Sequence, residues 1–137
     1  MADKISFDLV SPERLLLSEQ ADMVTVPGSD GYFGVLTGHM PLISTLRPGM
    51  IDVKGGEMGD AKYFILGGFA EVTTAGMTNT KLTVLAEEAV PMTEMDLVAL
   101  DQRIHDAEEN LIAASTPAGR ARAADILADL RLVRAAF

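Results

Sequence analysis

The sequence predicts a mainly-β fold with an α-helical appendage. Residues 1–90 read as an antiparallel β-sandwich or flattened barrel of eight to ten short strands, and residues 91–137 as an antiparallel two-helix hairpin. Three observations carry this. Apolar residues alternate with period 2 up to about Ala89, Gly- and Pro-containing pairs punctuate the same half, and past Pro91 the apolar spacing changes to threes and fours.

In chain order, Ile5, Phe7 and Leu9 alternate with Ser6 and Asp8, as a half-buried strand requires. The same alternation returns in Ile51 and Val53 against Asp52 and Lys54, and in Leu82 and Val84 against Lys81 and Thr83. Between such runs lie Pro27-Gly28, Pro48-Gly49, Gly55-Gly56, Gly67-Gly68 and Ala75-Gly76, which predict hairpin turns because glycine tolerates positive φ. Pro91 marks the break. Thr93 followed by Asp96 resembles a capping box. Leu97, Leu100, Ile104, Ala107 and Leu111 then form one narrow helical seam. Ser115-Thr116-Pro117 interrupts it, with Thr116 as a cap and Pro117 at the first helical position. A second seam runs through Ala123, Ile126, Leu127, Leu130, Val133 and Phe137. Charge is divided between the two predicted helices. Glu94, Asp96, Asp101, Asp106, Glu108 and Glu109 accompany Arg103 in the first, whereas Arg120, Arg122, Arg131 and Arg134 accompany Asp125 and Asp129 in the second.

Composition narrows the function. The 137 residues suit one ordinary domain, or a small domain with an appendage, and a hydrophobic fraction of 48% fits a globular aliphatic core. No cysteine is present, so thiolate zinc sites, disulfides and cysteine nucleophiles are excluded. A net charge of −9 argues against nucleic acid as a partner. No apolar run is long enough to span a bilayer. The start MADKISFDLVS lacks the apolar core of a signal peptide and the Arg- and Ser-rich character of a transit peptide, so the expected compartment is cytoplasm-like.

The densest motif is GSDGYFGVLTGHMP, residues 28–41. It is no phosphate loop of the GxxxxGK[ST] type, since no lysine follows and the continuation is strand-like. Two histidines in unlike segments make a poor metal set, and Ser29 sits in no nucleophile elbow. His39 is the one candidate general base, and no orienting group or nucleophile lies near it in sequence. No enzyme site is visible and no cofactor is expected. Two readings stay open at this level: a docking surface built around Tyr32 and Phe33, or a tight connection with His39 as a hydrogen-bonded turn residue.

The string VPGSDGYFGVLTGHMPLISTLRPG, residues 26–49, closely resembles the signature of the epsilon subunit of F-type ATP synthases. FDLVSPERLLLS, GGFAEV and LTVLAEEA match the same family in order and spacing, and the resemblance covers essentially the whole chain. It implies a ten-stranded antiparallel sandwich followed by the helical hairpin. It also implies a non-catalytic rotor subunit at the foot of the central stalk, which couples proton flow to ATP synthesis. Its implied partners are the gamma subunit, the polar loops of the c-ring and, through the hairpin, the catalytic beta and alpha subunits. Membrane association would come through the complex only, on the cytoplasmic face of a bacterial inner membrane.

Carried over by position, His39, Met40 and Pro41 fall where the family contacts gamma. Asp30, Gly31, Tyr32 and Phe33 fall at the loop facing the rotor ring, with Tyr32 where better-known members have an acid. Arg120, Arg122, Arg131 and Arg134 are candidate inhibitory contacts to the beta subunit. Some members bind ATP through an Ile/Leu-Asp-x-x-Arg-Ala motif early in the first helix. Here Asp96 keeps the acid but Ala99 replaces the arginine, and Arg103 is one residue out of frame from Asp101, about 100° off the required face. Weak or no ATP binding is expected. Two competing readings are a free-standing regulatory protein whose hairpin senses a ligand such as ATP, and a small enzyme using His39.

Overall fold

A computed structural model describes residues 4–76, 79–135 and 137. The chain divides into two compact units, Met1–Met92 and Thr93–Phe137.

The first unit is one curled ten-stranded sheet. Its strands are β1 (Ile5–Val10), β2 (Leu15–Ala21), β3 (Met23–Gly28), β4 (Gly31–Val35), β5 (Leu42–Leu46), β6 (Gly49–Gly56), β7 (Gly59–Ile65), β8 (Gly68–Ala75), β9 (Asn79–Ala86) and β10 (Ala89–Pro91). They follow the order β10-β7-β6-β3-β5-β8-β9-β1-β2, with β4 attached to β3. Inward residues of the curled sheet meet in one core, where Ile5, Phe7, Leu9, Val24, Val26, Val35, Ile51, Val53, Leu82 and Val84 are wholly buried. The alternation in β1, β6 and β9 puts those residues on the inner face. The curl brings β2 round to β6. There the Asp22 amide donates to the Lys54 carbonyl at 2.9 Å, and the Lys4 ammonium reaches both Asp22 Oδ1 and the Gly55 carbonyl at 2.9 Å. Tyr63, half-buried against the core, has its hydroxyl held above the usual 10.0 by burial first and by the Glu19 carboxylate second.

Three details differ from the sequence expectation. Pairing is antiparallel throughout the described sheet except between β1 and β9, which run parallel with Phe7 opposite Leu82. Residues distant in sequence set that register, so local alternation cannot reveal its direction. Of the glycine pairs expected to turn hairpins, Pro48-Gly49 and Gly67-Gly68 instead join strands that are not neighbours in the sheet. Pro27-Gly28 lies within β3, and the turn follows at Ser29-Asp30. The strand pattern also runs past Ala89 and includes Pro91. Pro91 pairs with Tyr63 as the last residue of β10, at the sheet edge where proline's missing N–H is tolerated.

The second unit is a helical hairpin, α1 (Leu97–Ala113) and α2 (Pro117–Ala135), preceded by a 3-10 turn over Met92–Glu94. The expected capping box at Thr93 does not form. Asp96 is the N-cap, its Oδ1 accepting from the amides of Val98 at 3.0 Å and Ala99 at 3.2 Å. A carboxylate satisfies two orphan amides at once and complements the helix dipole, so it outcompetes the hydroxyl three residues earlier. Thr116 does cap α2, accepting from the Gly119 amide at 3.0 Å. Leu100, Ala107, Leu127, Leu130 and Val133 are buried; the seam frays at Leu97 and Ile126, which are more than one third exposed, and Phe137 lies beyond α2.

Candidate functional site

The glycine-rich stretch folds as a β3–β4 hairpin with a two-residue tip, Ser29-Asp30, closed by the Gly28–Gly31 pair. At the end of this tip Gly31 has φ 134°, where a side chain would be strained. Asp30, Gly31 and Tyr32 are exposed around this tip.

The two aromatics that follow part company. Tyr32 is 60% exposed, yet its ring does not project freely. Its hydroxyl accepts from the Met50 amide at 3.2 Å. A Cβ on Gly49 would lie 2.7 Å from that hydroxyl and 2.9 Å from Pro27 Cβ, so Gly49 makes the space in which Tyr32 crosses to β6. Phe33 points the other way. It is partly buried, packs against the core and sits where a Cβ on Gly28 would come within 2.9 Å of its ring. The expectation that both aromatics present apolar surface at a loop tip is therefore corrected for Phe33. Adjacent strand residues face opposite sides, and the inward side of β4 belongs to Phe33 and Val35.

His39 is a pinned turn residue. Its amide donates to the Leu36 carbonyl at 3.1 Å and its carbonyl accepts from Thr74 Oγ1 at 2.6 Å. Next to it, the Gly38 amide donates to Thr80 Oγ1 at 2.8 Å; Thr80 itself is buried. The His39 ring donates through Nδ1 to the Met40 carbonyl at 2.7 Å and lies 6.3 Å from the Phe33 ring centre. These contacts hold the connection between β4 and β5 to the β8–β9 hairpin and push Met40 outward, 78% exposed, with Pro41 exposed beside it.

An apolar surface extends from there that the sequence reading did not identify. Across the outer face, register places Thr45 opposite Phe69, Phe69 opposite Leu85, Leu85 opposite Val10 and Val10 opposite Leu15. Phe69, Leu85 and Leu15 are each about half exposed, and Ile43, one row along, is 71% exposed. A signal was present in the sequence. Phe69 and Leu85 are apolar residues out of phase with the buried Ala70–Val72 and Leu82–Val84 alternations, so they must face outward.

In the hairpin, the candidate arginines have partners of their own. Arg134 Nε meets Asp101 Oδ1 at 2.8 Å, and Arg131 lies 3.9 Å from Glu108 Oε2. Arg120 Nε donates to the Ala114 carbonyl at 3.1 Å, completing the end of α1. Arg122 lines a shallow, mostly apolar groove between the helices with Ala107, Ala123 and Ile126. Asp96, the remaining acid of the ATP-type motif, is committed to the α1 cap.

Residues 4–92 match the family model described as ATP synthase, Delta/Epsilon chain, beta-sandwich domain. Over 134 residues the chain is 48% identical to the ATP synthase epsilon chain of Parvibaculum lavamentivorans, covering 98% of each chain. It is 45% identical to that of Maricaulis maris over 98% of this chain and 97% of the relative, and 38% identical to that of Mesorhizobium japonicum over 100% and 98%. Among solved structures it resembles a chain of the Euglena gracilis mitochondrial ATP synthase, a complex of OSCP, F1 and c-ring, with TM-score 0.77 and 27% identity over 99% of this chain and 82% of that one. A chain of the Tetrahymena thermophila mitochondrial ATP synthase shares the fold at TM-score 0.67 and 16% identity, covering 98% of this chain and 97% of that one.

Proposed function

The chain belongs to the epsilon-chain family of ATP synthases, and from that premise we propose that it is a non-catalytic rotor subunit of the central stalk. It couples proton translocation to ATP synthesis by joining the gamma subunit to the c-ring. It works on the cytoplasmic face of a bacterial inner membrane, held there by the complex; among the described residues no helix is long and apolar enough to cross a membrane.

The observation that carries the reading is the rigid apolar face of the sheet. Phe69, Leu85, Val10 and Leu15 line up across four strands, with Ile43 alongside and Met40 held out by the pinned His39 turn. A contiguous outward apolar row on a well-packed sheet is costly in water and fits a lasting protein partner. We assign this face, with His39, Met40 and Pro41 at its margin, to gamma. The β3–β4 tip, with Asp30 and Gly31 at the turn and Tyr32 braced over Gly49, is assigned to the polar loops of the c-ring. Phe33 supports that tip from inside. The hairpin reaches the beta and alpha subunits through its arginines and restrains ATP hydrolysis.

Pull-down from detergent-solubilised membranes with a tagged chain tests the reading. The gamma, alpha, beta and c subunits should be recovered together with it. Recovery of the tagged chain free of ATPase subunits would overturn it.

A further inference from the structure

Two threonines stand where the inner rows of β8 and β9 should continue as hydrocarbon. Register pairs Ala70 with Val84, Val72 with Leu82 and Thr74 with Thr80; Thr74 is half-buried and the other five are buried. Side chains two apart in a strand share a face, so both hydroxyls lie on the core side at the end of the β8–β9 hairpin. Their partners are backbone groups of the β4–β5 connection, which lies outside the sheet ladder. The Gly38 amide donates to Thr80 Oγ1 at 2.8 Å, and Thr74 Oγ1 donates to the His39 carbonyl at 2.6 Å. The two hydroxyl oxygens are 3.5 Å apart. Since the Thr74 proton is committed to His39, the Thr80 proton is the one left to bridge them. The bonds then run in one direction, from the Gly38 N–H through Thr80 and Thr74 to the His39 carbonyl, and each hydroxyl both accepts and donates.

The turn depends on this seat. Gly38 sits at φ 87°, a left-handed angle at which glycine keeps wide backbone freedom, and it is exposed. The His39 ring in turn bonds the Met40 carbonyl at 2.7 Å, so the orientation set at Gly38 and His39 passes directly to Met40. We propose that Thr74 and Thr80 are positioning residues for docking: their coupled hydroxyls hold the 38–40 turn in the shape in which Met40 enters an apolar socket on the partner. The proposal deepens the assignment of this turn to gamma and rests on that assignment for the partner. A preformed turn has less ordering entropy to lose when the partner binds. Because Gly38 is open to water, loss of one hydroxyl frees the turn without unfolding the sheet.

Amide hydrogen exchange of the full-length chain, and its affinity for F1 stripped of this chain, test the proposal together. Thr80→Val keeps the shape of the side chain and removes the acceptor. The Gly38 amide should then exchange about twofold to tenfold faster, the worth of one neutral hydrogen bond, while the amides of β1 keep their rates. Thr80→Ser should restore slow exchange. Thr74→Val should also speed exchange at Gly38, although Thr74 does not bond that amide, and the double variant should add little to either single one. Thr74→Val carries the test if Thr80→Val does not fold. Affinity for the stripped F1 should fall in both valine variants, and the fall should vanish in a Met40→Ala background. Unchanged exchange at Gly38, or additive effects of the two valines, would overturn the coupled seat. A loss of affinity that persists without the Met40 side chain would overturn the positioning role. So would an affinity that Met40→Ala lowers and the valines leave unchanged. If exchange quickens while no variant alters affinity, Met40→Ala included, the assignment of the turn to gamma fails and the positioning role falls with it.

Discussion

The Tyr32 hydroxyl accepts a hydrogen bond from the Met50 amide across Gly49, tying the tip of the β3–β4 hairpin to the first turn-side residues of β6. The tip is thereby braced without being buried.

Tyr32 and Phe33, neighbours in sequence, should therefore answer differently to mutation. Tyr32→Asp leaves the core intact and should lower the yield of assembled rotor while thermal stability falls by no more than the loss of one exposed hydrogen bond, about 0.5–1.5 kcal/mol. Phe33→Asp drives a charge toward the core and should unfold the subunit before docking is tested. Gly49→Ala, with Cβ 2.7 Å from the Tyr32 hydroxyl and 2.9 Å from Pro27 Cβ, should cost about 1–3 kcal/mol through forced displacement. Melting temperature and complex yield measured on the same three variants check all of this.

Modularity is the second prediction. The sheet holds its own core and closes on itself through Lys4, Asp22 and Gly55. Residues 1–92 alone should fold, show a β-type circular dichroism spectrum and bind gamma. A truncated chain that is unfolded, or folded but unable to bind, would contradict the assignment of the docking face to the sheet.

What was legible in the sequence was whatever local period encodes. The alternation of Ile5, Phe7 and Leu9 and the seam through Leu100, Ala107, Leu127 and Leu130 reappear as buried faces. What local period does not encode was missed: the parallel β1–β9 pairing and the crossovers at Pro48-Gly49 and Gly67-Gly68. The inward turn of Phe33 does follow from its alternation with Tyr32 and Val35, and was missed because the glycines marked the stretch as a loop tip. Thr93 lost the cap to Asp96 because both types cap well and sequence does not rank them by where the 3-10 turn ends. For the site, His39 and the β3–β4 tip could be found from the motif. The row through Phe69 and Leu85 needed the register of five strands to assemble, although its out-of-phase residues were visible beforehand.

ATP should bind the isolated chain weakly or not at all, with a dissociation constant above roughly 1 mM, or less than about 4 kcal/mol of affinity. Ala99 stands in place of the motif arginine, and the Asp96 carboxylate already occupies the α1 amides at Val98 and Ala99 that would favour an anion. Titration calorimetry giving a micromolar constant would show the motif reading to be wrong. Ala99→Arg should strengthen binding if the remaining groups of an ATP site are in place.

Reversal of Arg131 and Arg134 to Glu should raise ATP hydrolysis by the reconstituted complex without abolishing synthesis, and the difference should shrink as salt is added. The reversed side chains repel Asp101 and Glu108 and cannot pair with an acidic partner. Unchanged hydrolysis would mean that these arginines serve only the hairpin.

The most direct test of the central claim is ATP-driven proton pumping in inverted membrane vesicles from cells depleted of this chain. Vesicles without it should lose pumping, and purified full-length chain added back with F1 should restore it. A chain carrying Phe69→Asp and Leu85→Asp on the outer face should fold but fail to restore pumping. Pumping at full strength without the chain, or full rescue by that doubly substituted face, would contradict its place as the coupling subunit of the rotor.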